Sequence, residues 1–457
     1  MTTATATTAT ATTATTTTAT TVVGGLSRLE PRPNGDHPAW LTNARRAAFG
    51  WVAEYGFPTL KDEDWRYTRL GPILNIPFEP AVAGMSHRLS PSTIDALAAD
   101  LGGTRLVFVN GYFAPELSRL TELGEGVTVT NLASVLAEGA ERLEPFLSRP
   151  FGQHHHAFTA LNTALAEDGA FVHLAADTTV DEPIQLVFFS NTGGSPLVSS
   201  PRSVVLAGPG SQATIVETHA GIEGDVYCTN AVTEVVLEEG ARVEHYKVQD
   251  ESETAFHLAS VDVRQGRDSR FSSHSVALGS SIARHEVRVR LEAEGAEVSL
   301  DGLYMPRGDQ HHDNPILIEH AAPNCISRQL YKGVLDGHGQ GVFNGRVVVH
   351  PGAAGTDAAQ TNKNLLLSDH AEIDTRPRLE IFADDVKCTH GAAVGQLDED
   401  AVFYLRSRGV PHLAARGLLI YAFVNEMVER LRPEPLRSLV GKLVTDRLAT
   451  GADGVPT

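Results

Sequence analysis

The sequence predicts a mainly β protein whose core is a β-helix between two helical segments. From about residue 170 to residue 388, strand-like segments follow one another and no helical pattern interrupts them. Glycines recur near the starts of these strands, at Gly210, Gly240, Gly266 and Gly295, with intervals of 26 to 30 residues. A fixed period with a turn and strands in every repeat is typical of a solenoid. A large β-sandwich with evenly spaced hairpins stays open as an alternative.

Alternation within the strands supports the solenoid. Around residue 289, Val287, Val289 and Leu291 alternate with charged residues, which predicts one buried and one exposed face. The segment with Ala296, Val298 and Leu300 repeats the pattern, and Gly352 continues the glycine series two periods beyond Gly295. The interior is therefore predicted to hold the odd-numbered apolar residues of the first segment and the even-numbered ones of the second.

The chain divides into four predicted segments. Residues 2–21 contain only threonine and alanine, so residues 1–23 are predicted to be a disordered tail. A mostly helical N-terminal domain follows at residues 24–169, with helices at Pro38–Tyr55, at Ser92–Leu101 and around residues 131–147, and a strand-like stretch near residues 104–113. Residues 170–397 form the β-helix core, and residues 398–457 form a C-terminal helical domain.

Three helices are predicted after residue 398. Asp398 is a favourable N-cap, and Gly409 ends the first helix. The second begins at Pro411 and runs through Leu431. The third carries one apolar stripe, made of Leu436, Leu439, Val440, Leu443 and Val444.

Composition excludes several classes of function. The net charge of -19 disfavours binding to nucleic acids or anionic membranes, and no apolar run is long enough to span a membrane. The three widely separated cysteines fit a reducing compartment, and we expect a cytoplasmic protein. The tail lacks the basic and apolar regions of a secretory signal, and its lack of arginine weakens an organelle transit peptide.

Motifs for common enzyme chemistry are missing from the sequence. It contains no phosphate-binding loop of the G-x-x-x-x-G-K-[ST] type, so we do not expect the chain itself to hydrolyse ATP. It contains no G-x-S-x-G nucleophile motif either. A carbohydrate-cleaving β-helix enzyme stays open, because two carboxylates that face one cleft cannot be recognised from sequence.

Two histidine-rich segments contain residue types that bind metals. One comprises His154–His156, and the other contains His311, His312, Asp313 and His320. Neither has the spacing of a helical histidine pair or an accompanying C-x-x-C motif. Hydrogen bonding in loops or in the core is the favoured interpretation of both. Cys228 and Cys325 are predicted to pack as small apolar residues.

Cys388 and His390 are the candidate metal ligands. If the last strand of the solenoid includes both, they share one face with Cα atoms roughly 6.5–7 Å apart. A thiolate and an imidazole at this separation can bind one metal ion or one edge of an iron–sulfur cluster. Because a cluster requires about four ligands, the remaining ligands would have to come from another chain. A buried thiol beside an unrelated histidine stays open.

The segment DDVKCTHGAAVGQLDEDAVFYLRSRGVP, residues 384–411, resembles the SufB/SufD family of the SUF iron–sulfur cluster assembly machinery. The resemblance extends upstream through QHHDNPILIEH and RQLYKGVLDG to DEDWRYTRL near residue 65. It favours SufD over its paralogue SufB, in which additional cysteines occur.

The resemblance implies a right-handed parallel β-helix flanked by helical domains. It further implies a scaffold rather than an enzyme, which pairs with SufB through the β-helix and binds the ATPase SufC through the C-terminal helices. An iron–sulfur cluster would be held transiently at the SufB interface, where Cys388 and His390 match the family's cysteine and histidine. ATP would act only through SufC.

Overall fold

The structure is a computed structural model that describes residues 26, 29, 37–84, 89–147 and 157–449. The predicted threonine and alanine tail and His154–His156 lie outside these residues. The core is a β-solenoid of about eight turns with helices at both ends of the chain, so the predicted fold class is confirmed.

Nine α-helices lie within the described ranges. They are α1 (Ala39–Tyr55), α2 (Gly71–Leu74), α3 (Pro91–Leu97), α4 (Leu132–Gly139), α5 (Glu144–Leu147), α6 (Ala157–Leu165), α7 (Glu399–Ser407), α8 (His412–Val428) and α9 (Glu434–Ala449). Short 3₁₀ helices occur at Glu63–Trp65, Pro115–Leu117 and Ala140–Arg142.

The strands number twenty-one in the same ranges. Those that begin before residue 210 are β1 (Glu79–Pro80), β2 (Arg105–Val109), β3 (Tyr112–Phe113), β4 (Val127–Asn131), β5 (Ala170–Leu174), β6 (Ile184–Ser190), β7 (Leu197–Ser199) and β8 (Arg202–Ala207). The next are β9 (Gln212–Gly221), β10 (Tyr227–Leu237), β11 (Arg242–Asp250), β12 (Phe256–Gln265), β13 (Arg270–Ala277), β14 (Ile282–Leu291) and β15 (Glu297–Tyr304). The last are β16 (His311–His320), β17 (Ile326–Leu335), β18 (Gln340–Val349), β19 (Asp357–Leu366), β20 (Glu372–Ile381) and β21 (Lys387–Gln396).

Each coil of the solenoid contributes one strand to each of two sheets. The even-numbered strands from β8 to β20 lie side by side in one sheet, and the odd-numbered strands from β9 to β21 lie side by side in the other. Every neighbouring pair in these two series is parallel, for example β10 with β12 and β19 with β21. Parallel pairing of non-consecutive strands excludes the β-sandwich built from hairpins.

The apolar residues predicted to face inward do so. Val287, Val289 and Leu291 belong to the apolar cluster inside the solenoid, as do Val298 and Leu300. On the opposite face Arg290 and Glu292 are exposed as predicted, whereas Glu286 is buried. The period-two pattern therefore identifies the interior face of these strands.

The predicted glycine period is right, but two of its positions are displaced. Gly210, Gly240 and Gly295 have the left-handed backbone conformation that the turns require. The turn before β13 instead places Asp268 in this conformation, with φ 53°. Aspartate tolerates the left-handed region better than most residues, so glycine is not required at that position. In the turn before β19 the equivalent residue is Gly355 rather than Gly352.

Helices α1, α4, α5 and α6 pack against the sheet that contains the even-numbered strands β8 to β20, whereas α3 packs against β2 and β6 of the other sheet. The second predicted helix is shorter than expected, because α3 begins after the N-cap Ser90 and ends at Leu97. The following residue, Ala98, is extended. The segment around Trp65 fastens this region to the solenoid, since Arg284 stacks on the Trp65 ring at 3.8 Å and Glu63 forms an ion pair with Arg376 of β20 at 2.6 Å.

The C-terminal helices cover the outer face of the other sheet. Asp398 caps α7 by accepting hydrogen bonds from two backbone N–H groups, as predicted, and Gly409 follows the helix with φ 87°. Helix α8 ends at Val428, three residues before the predicted end.

The apolar stripe of α9 packs against its own chain. The cluster that includes Leu436, Val440 and Val444 also contains outward-facing residues of the solenoid, such as Tyr246 and Leu303. Leu439 and Leu443 are partly buried against the same cluster. The stripe itself is therefore not accessible to a partner, because its apolar surface is already buried.

Candidate functional site

The solenoid is open at the end formed by β20 and β21. These strands are the outermost members of their sheets, and the paths of strand pairing described for the chain end at them. Most side chains of β21 are exposed, whereas the strands one coil earlier are largely buried. Three apolar side chains, Ile381, Phe382 and Val394, are exposed here, and Phe382 is 61% exposed. This end of the solenoid presents unpaired strand edges together with apolar surface.

Cys388 and His390 lie on β21, at this open end. The strand is continuous across both residues, so they share one face as predicted. Cys388 pairs in register with Ala358, and His390 pairs with Gln360. Ala358 and Gln360 are both buried, and Cys388 packs against the interior cluster. Both side chains therefore belong to the interior face, but no further coil of the described chain covers them.

The environment of Cys388 disfavours the thiolate. Burial raises the pKa of the Cys388 thiol, and Asp357 raises it further, while a hydrogen bond with the backbone of Ala358 opposes these effects. Because metals bind the thiolate, ligation by Cys388 must release a proton and needs a nearby metal ion or cation.

The open end carries two side chains of types that bind metals. A half-buried thiol and an exposed imidazole are soft ligands that suit iron or an iron–sulfur cluster. In the part of the chain that the structure describes, no three histidine, cysteine, aspartate or glutamate side chains are grouped so that they could hold a metal ion. The residues fit a cluster only if a second chain supplies the remaining ligands.

A groove lies between α8 and the solenoid, and we call it the α8 groove. Its volume is about 900 Å³, and it is lined by residues that include Met305, Val334, Leu413, Leu418 and Tyr421. Leu413 and Leu418 are exposed. On α7, Phe403 is 70% exposed and Tyr404 is also exposed. This apolar surface was not predicted from the sequence, although the two adjacent aromatic residues Phe403 and Tyr404 could have indicated it.

Two family models match the chain over most of its length. The SufBD protein N-terminal region matches residues 34–186, and the SufBD core domain of SUF system FeS cluster assembly matches residues 188–423. The chain belongs to the SufBD family. The resemblance seen in the sequence is thereby confirmed, and the SufBD family acts in iron–sulfur cluster assembly.

Relatives of similar length support the same conclusion. The iron–sulfur cluster assembly protein SufD of Escherichia coli is 34% identical over 399 residues, which is 87% of this chain and 90% of that protein. A SufBD family protein of Synechocystis is 34% identical over 418 residues, covering 90% of this chain and 91% of the relative. SufD of Bacillus subtilis is 26% identical over 416 residues, covering 89% and 93% of the two chains.

The second histidine-rich segment of this SufBD protein is part of the buried hydrogen-bond network. His311 contacts the Thr68 hydroxyl at 3.0 Å, and the His312 imidazole contacts the carbonyl of Gly279 at 3.0 Å. Asp313 pairs with Arg284, and the histidine at position 320 bonds to a serine hydroxyl. These contacts agree with the favoured interpretation of core hydrogen bonding.

The other two cysteines lie away from the open end. Cys228 and Cys325 are fully buried within apolar clusters. Burial raises the pKa of the Cys228 thiol. Both therefore behave as apolar packing residues, as the sequence indicates.

Charged side chains inside the solenoid were not anticipated from the sequence. Glu217 and Lys247 are register partners and are both buried. Although burial alone would raise the pKa of Glu217, hydrogen bonds with His219 and His245 hold it well below its ordinary value. The signal was available in the sequence, because Glu217 lies two residues beyond the inward-facing Ile215 on β9, and Lys247 shares its face of β11 with the inward-facing Val243.

No helix in the described ranges is long and apolar enough to cross a membrane.

Proposed function

We propose that this SufBD protein is a non-enzymatic scaffold subunit that pairs with a SufB chain and with the ATPase SufC. Nascent iron–sulfur clusters would be assembled on this complex as its cargo. One observation carries the proposal. Two candidate metal ligands, Cys388 and His390, lie at the open end on an edge strand that no described strand covers.

The geometry of the open end supports pairing with a second β-helix. The unpaired edges of β20 and β21 can hydrogen-bond to strands of another chain. The exposed Ile381, Phe382 and Val394 would be buried by the same contact. A partner that covers this end would also place its own ligands beside Cys388 and His390 and so supply the donors that the described part of this chain does not offer there.

The C-terminal helices support the docking of an ATPase. The α8 groove and the exposed aromatic residues of α7 are apolar surfaces of the C-terminal helices that the described part of the chain leaves accessible. Exposed apolar patches of this kind mark interaction surfaces. ATP hydrolysis by SufC would then act on the scaffold through α7 and α8. The cytoplasmic location stays a prediction.

The test is assembly of the complex from purified chains. Mixed with SufB and SufC, the chain should elute in one stable complex. Substitution of Val394 by lysine places a charge on the open end and should abolish pairing with SufB, because charged side chains on an edge strand oppose strand addition. The matched control is Leu120→Lys, which adds the same charge at an exposed leucine in a loop after β3.

We expect the Leu120→Lys variant to pair with SufB and the Val394→Lys variant not to pair. Separate elution of all three wild-type chains, or full assembly of the Val394→Lys variant, would contradict the proposal.

A further inference from the structure

Three successive inward positions of β19, in the coil beneath the open end, carry amides instead of apolar side chains. Asn362 and Asn364 are buried and bond to each other at 2.6 Å, and Asn362 also donates to the Tyr304 hydroxyl at 3.1 Å. The Gln360 amide nitrogen donates to the Gln329 amide oxygen at 3.0 Å. Polar side chains in this position are costly unless every donor and acceptor has a partner.

The side-chain oxygen of Gln360 accepts none of these hydrogen bonds. This oxygen is buried and has no hydrogen-bond partner within the described residues. The oxygen atoms of Asn362 and Asn364, by contrast, each accept a hydrogen bond. Of the three amides, Gln360 is the one in register with His390. Neighbouring residues in register on parallel strands are about 4.8 Å apart, so the two side chains are within reach of each other.

We infer that Gln360 is a positioning residue, whose amide oxygen accepts the hydrogen bond of one imidazole N–H of His390. Ligating histidines usually donate their second ring N–H to an oxygen, which fixes the tautomer and the orientation of the ring. With one nitrogen held by Gln360, the other nitrogen of His390 faces the open end and the partner's half of the site. This inference rests on the proposed role of His390 as a ligand.

A glycine across the interior makes room for the Gln360 amide. A Cβ atom on Gly345 would lie 1.8 Å from the amide nitrogen of Gln360. Gly345 pairs with Pro377 of β20, at the same end of the solenoid. Because the clashing atom is the end of a flexible side chain, Gly345→Ala can fold once Gln360 moves aside. This substitution therefore displaces the amide without removing it.

The experiment measures the affinity of the assembled complex for Co²⁺, which reports thiolate ligation through its absorption. Gln360→Leu and Gly345→Ala should each weaken Co²⁺ binding by about 10-fold or more, the range found when the oxygen partner of a ligating histidine is removed. Gln360→Glu retains an oxygen acceptor and should bind Co²⁺ like the wild type. The matched control is Asn364→Leu, which removes a buried amide that is in register with Val394 instead.

A second readout follows the imidazole itself in the full-length chain. With isotope-labelled histidine, the nitrogen resonances of His390, assigned from their loss in His390→Ala, should show one tautomer in the wild type and an exchange-averaged mixture in Gln360→Leu. A purely structural role of Gln360 would change the melting temperature but not these resonances.

The outcomes separate the two proposals. Weak Co²⁺ binding by His390→Ala together with wild-type binding by Gln360→Leu and Gly345→Ala would overturn the role of Gln360 alone. Unchanged Co²⁺ binding by His390→Ala would overturn the ligand role of His390, and the positioning role would fall with it.

Discussion

Cys388 lies in register with Ala358 on the neighbouring strand, yet the two side chains differ in burial. Ala358 is 1% exposed, whereas Cys388, one coil further along, is only partly buried. The difference arises because β21 has no strand on its outer side among the described residues. The thiol therefore lies on the interior face of the solenoid but remains accessible to a second chain.

The isolated chain should bind no iron–sulfur cluster tightly. Two soft ligands at the open end are too few for a cluster, and Cys228 and Cys325 are buried elsewhere. Anaerobic reconstitution of the purified chain, followed by absorption spectroscopy and iron analysis, should show less than stoichiometric cluster. A full, stable cluster in the absence of SufB would show that this chain holds a complete site.

Binding of SufC should depend on α7 and α8 and not on the stripe of α9. Replacing the exposed Phe403 or Leu418 by serine should weaken SufC binding by about 1–3 kcal/mol, the range for a buried apolar side chain at an interface, with little change in the melting temperature. Leu436→Ala should instead destabilise the chain by about 2–5 kcal/mol, because Leu436 is buried in its core. Calorimetry of binding and of unfolding distinguishes the two classes.

Normal SufC affinity in a Phe403→Ser, Leu418→Ser double variant would show that SufC does not dock on these helices. Truncation after residue 398 does not test SufC docking cleanly, because it would also expose the face of the solenoid that α8 and α9 cover.

Stability should fall in mild acid. Burial lowers the pKa of His219 to about 4 and the pKa of His312 to about 3, from an ordinary value of 6.5. Between pH 6.5 and the lowered pKa of each histidine, the unfolded chain binds a proton that the folded chain does not. The free energy of unfolding therefore decreases as the pH falls below about 6.5. Each such histidine contributes a slope of about 1.4 kcal/mol per pH unit.

Denaturant unfolding at several pH values between about 7 and about 4 measures this slope. His312→Gln should reduce it, whereas the same substitution at the exposed His338 should leave it unchanged. A free energy of unfolding that is constant over this range would show that the buried histidines do not govern the acid response.

The sequence is informative about the solenoid because its physical signals are local. Alternation around Val289 and the turn period both arise from the pleat of single strands, and a reader of the sequence can detect them. The displacement from Gly266 to Asp268 could not be foreseen, since aspartate also adopts the left-handed conformation. The spacing of Cys388 and His390 likewise places them on one face without any tertiary information.

The features that could not be predicted from the sequence depend on contacts between distant segments. The stripe of Leu436 is the same whether it faces a partner or the chain's own Leu303, so its amphipathic pattern could not show which one covers it. The pairing of Gln360 with His390 follows from the register of β19 and β21, which are separated by a turn and by β20. Register of this kind is fixed by the packing of whole coils.

The most direct test of the central claim is cluster delivery by the complex assembled with Cys388→Ser, with His390→Ala and with the control Thr389→Ala. Thr389 is exposed and lies between the two candidate ligands, on the opposite face of the strand. Transfer of clusters to an apo acceptor protein and the melting temperature should be measured on the same samples. We predict that Cys388→Ser and His390→Ala lower delivery at least several-fold with little change in melting temperature, while Thr389→Ala delivers clusters normally. Complexes carrying Cys388→Ser or His390→Ala that are destabilised but deliver clusters at the wild-type rate would contradict the account, and the two residues would then be packing residues of the last coil.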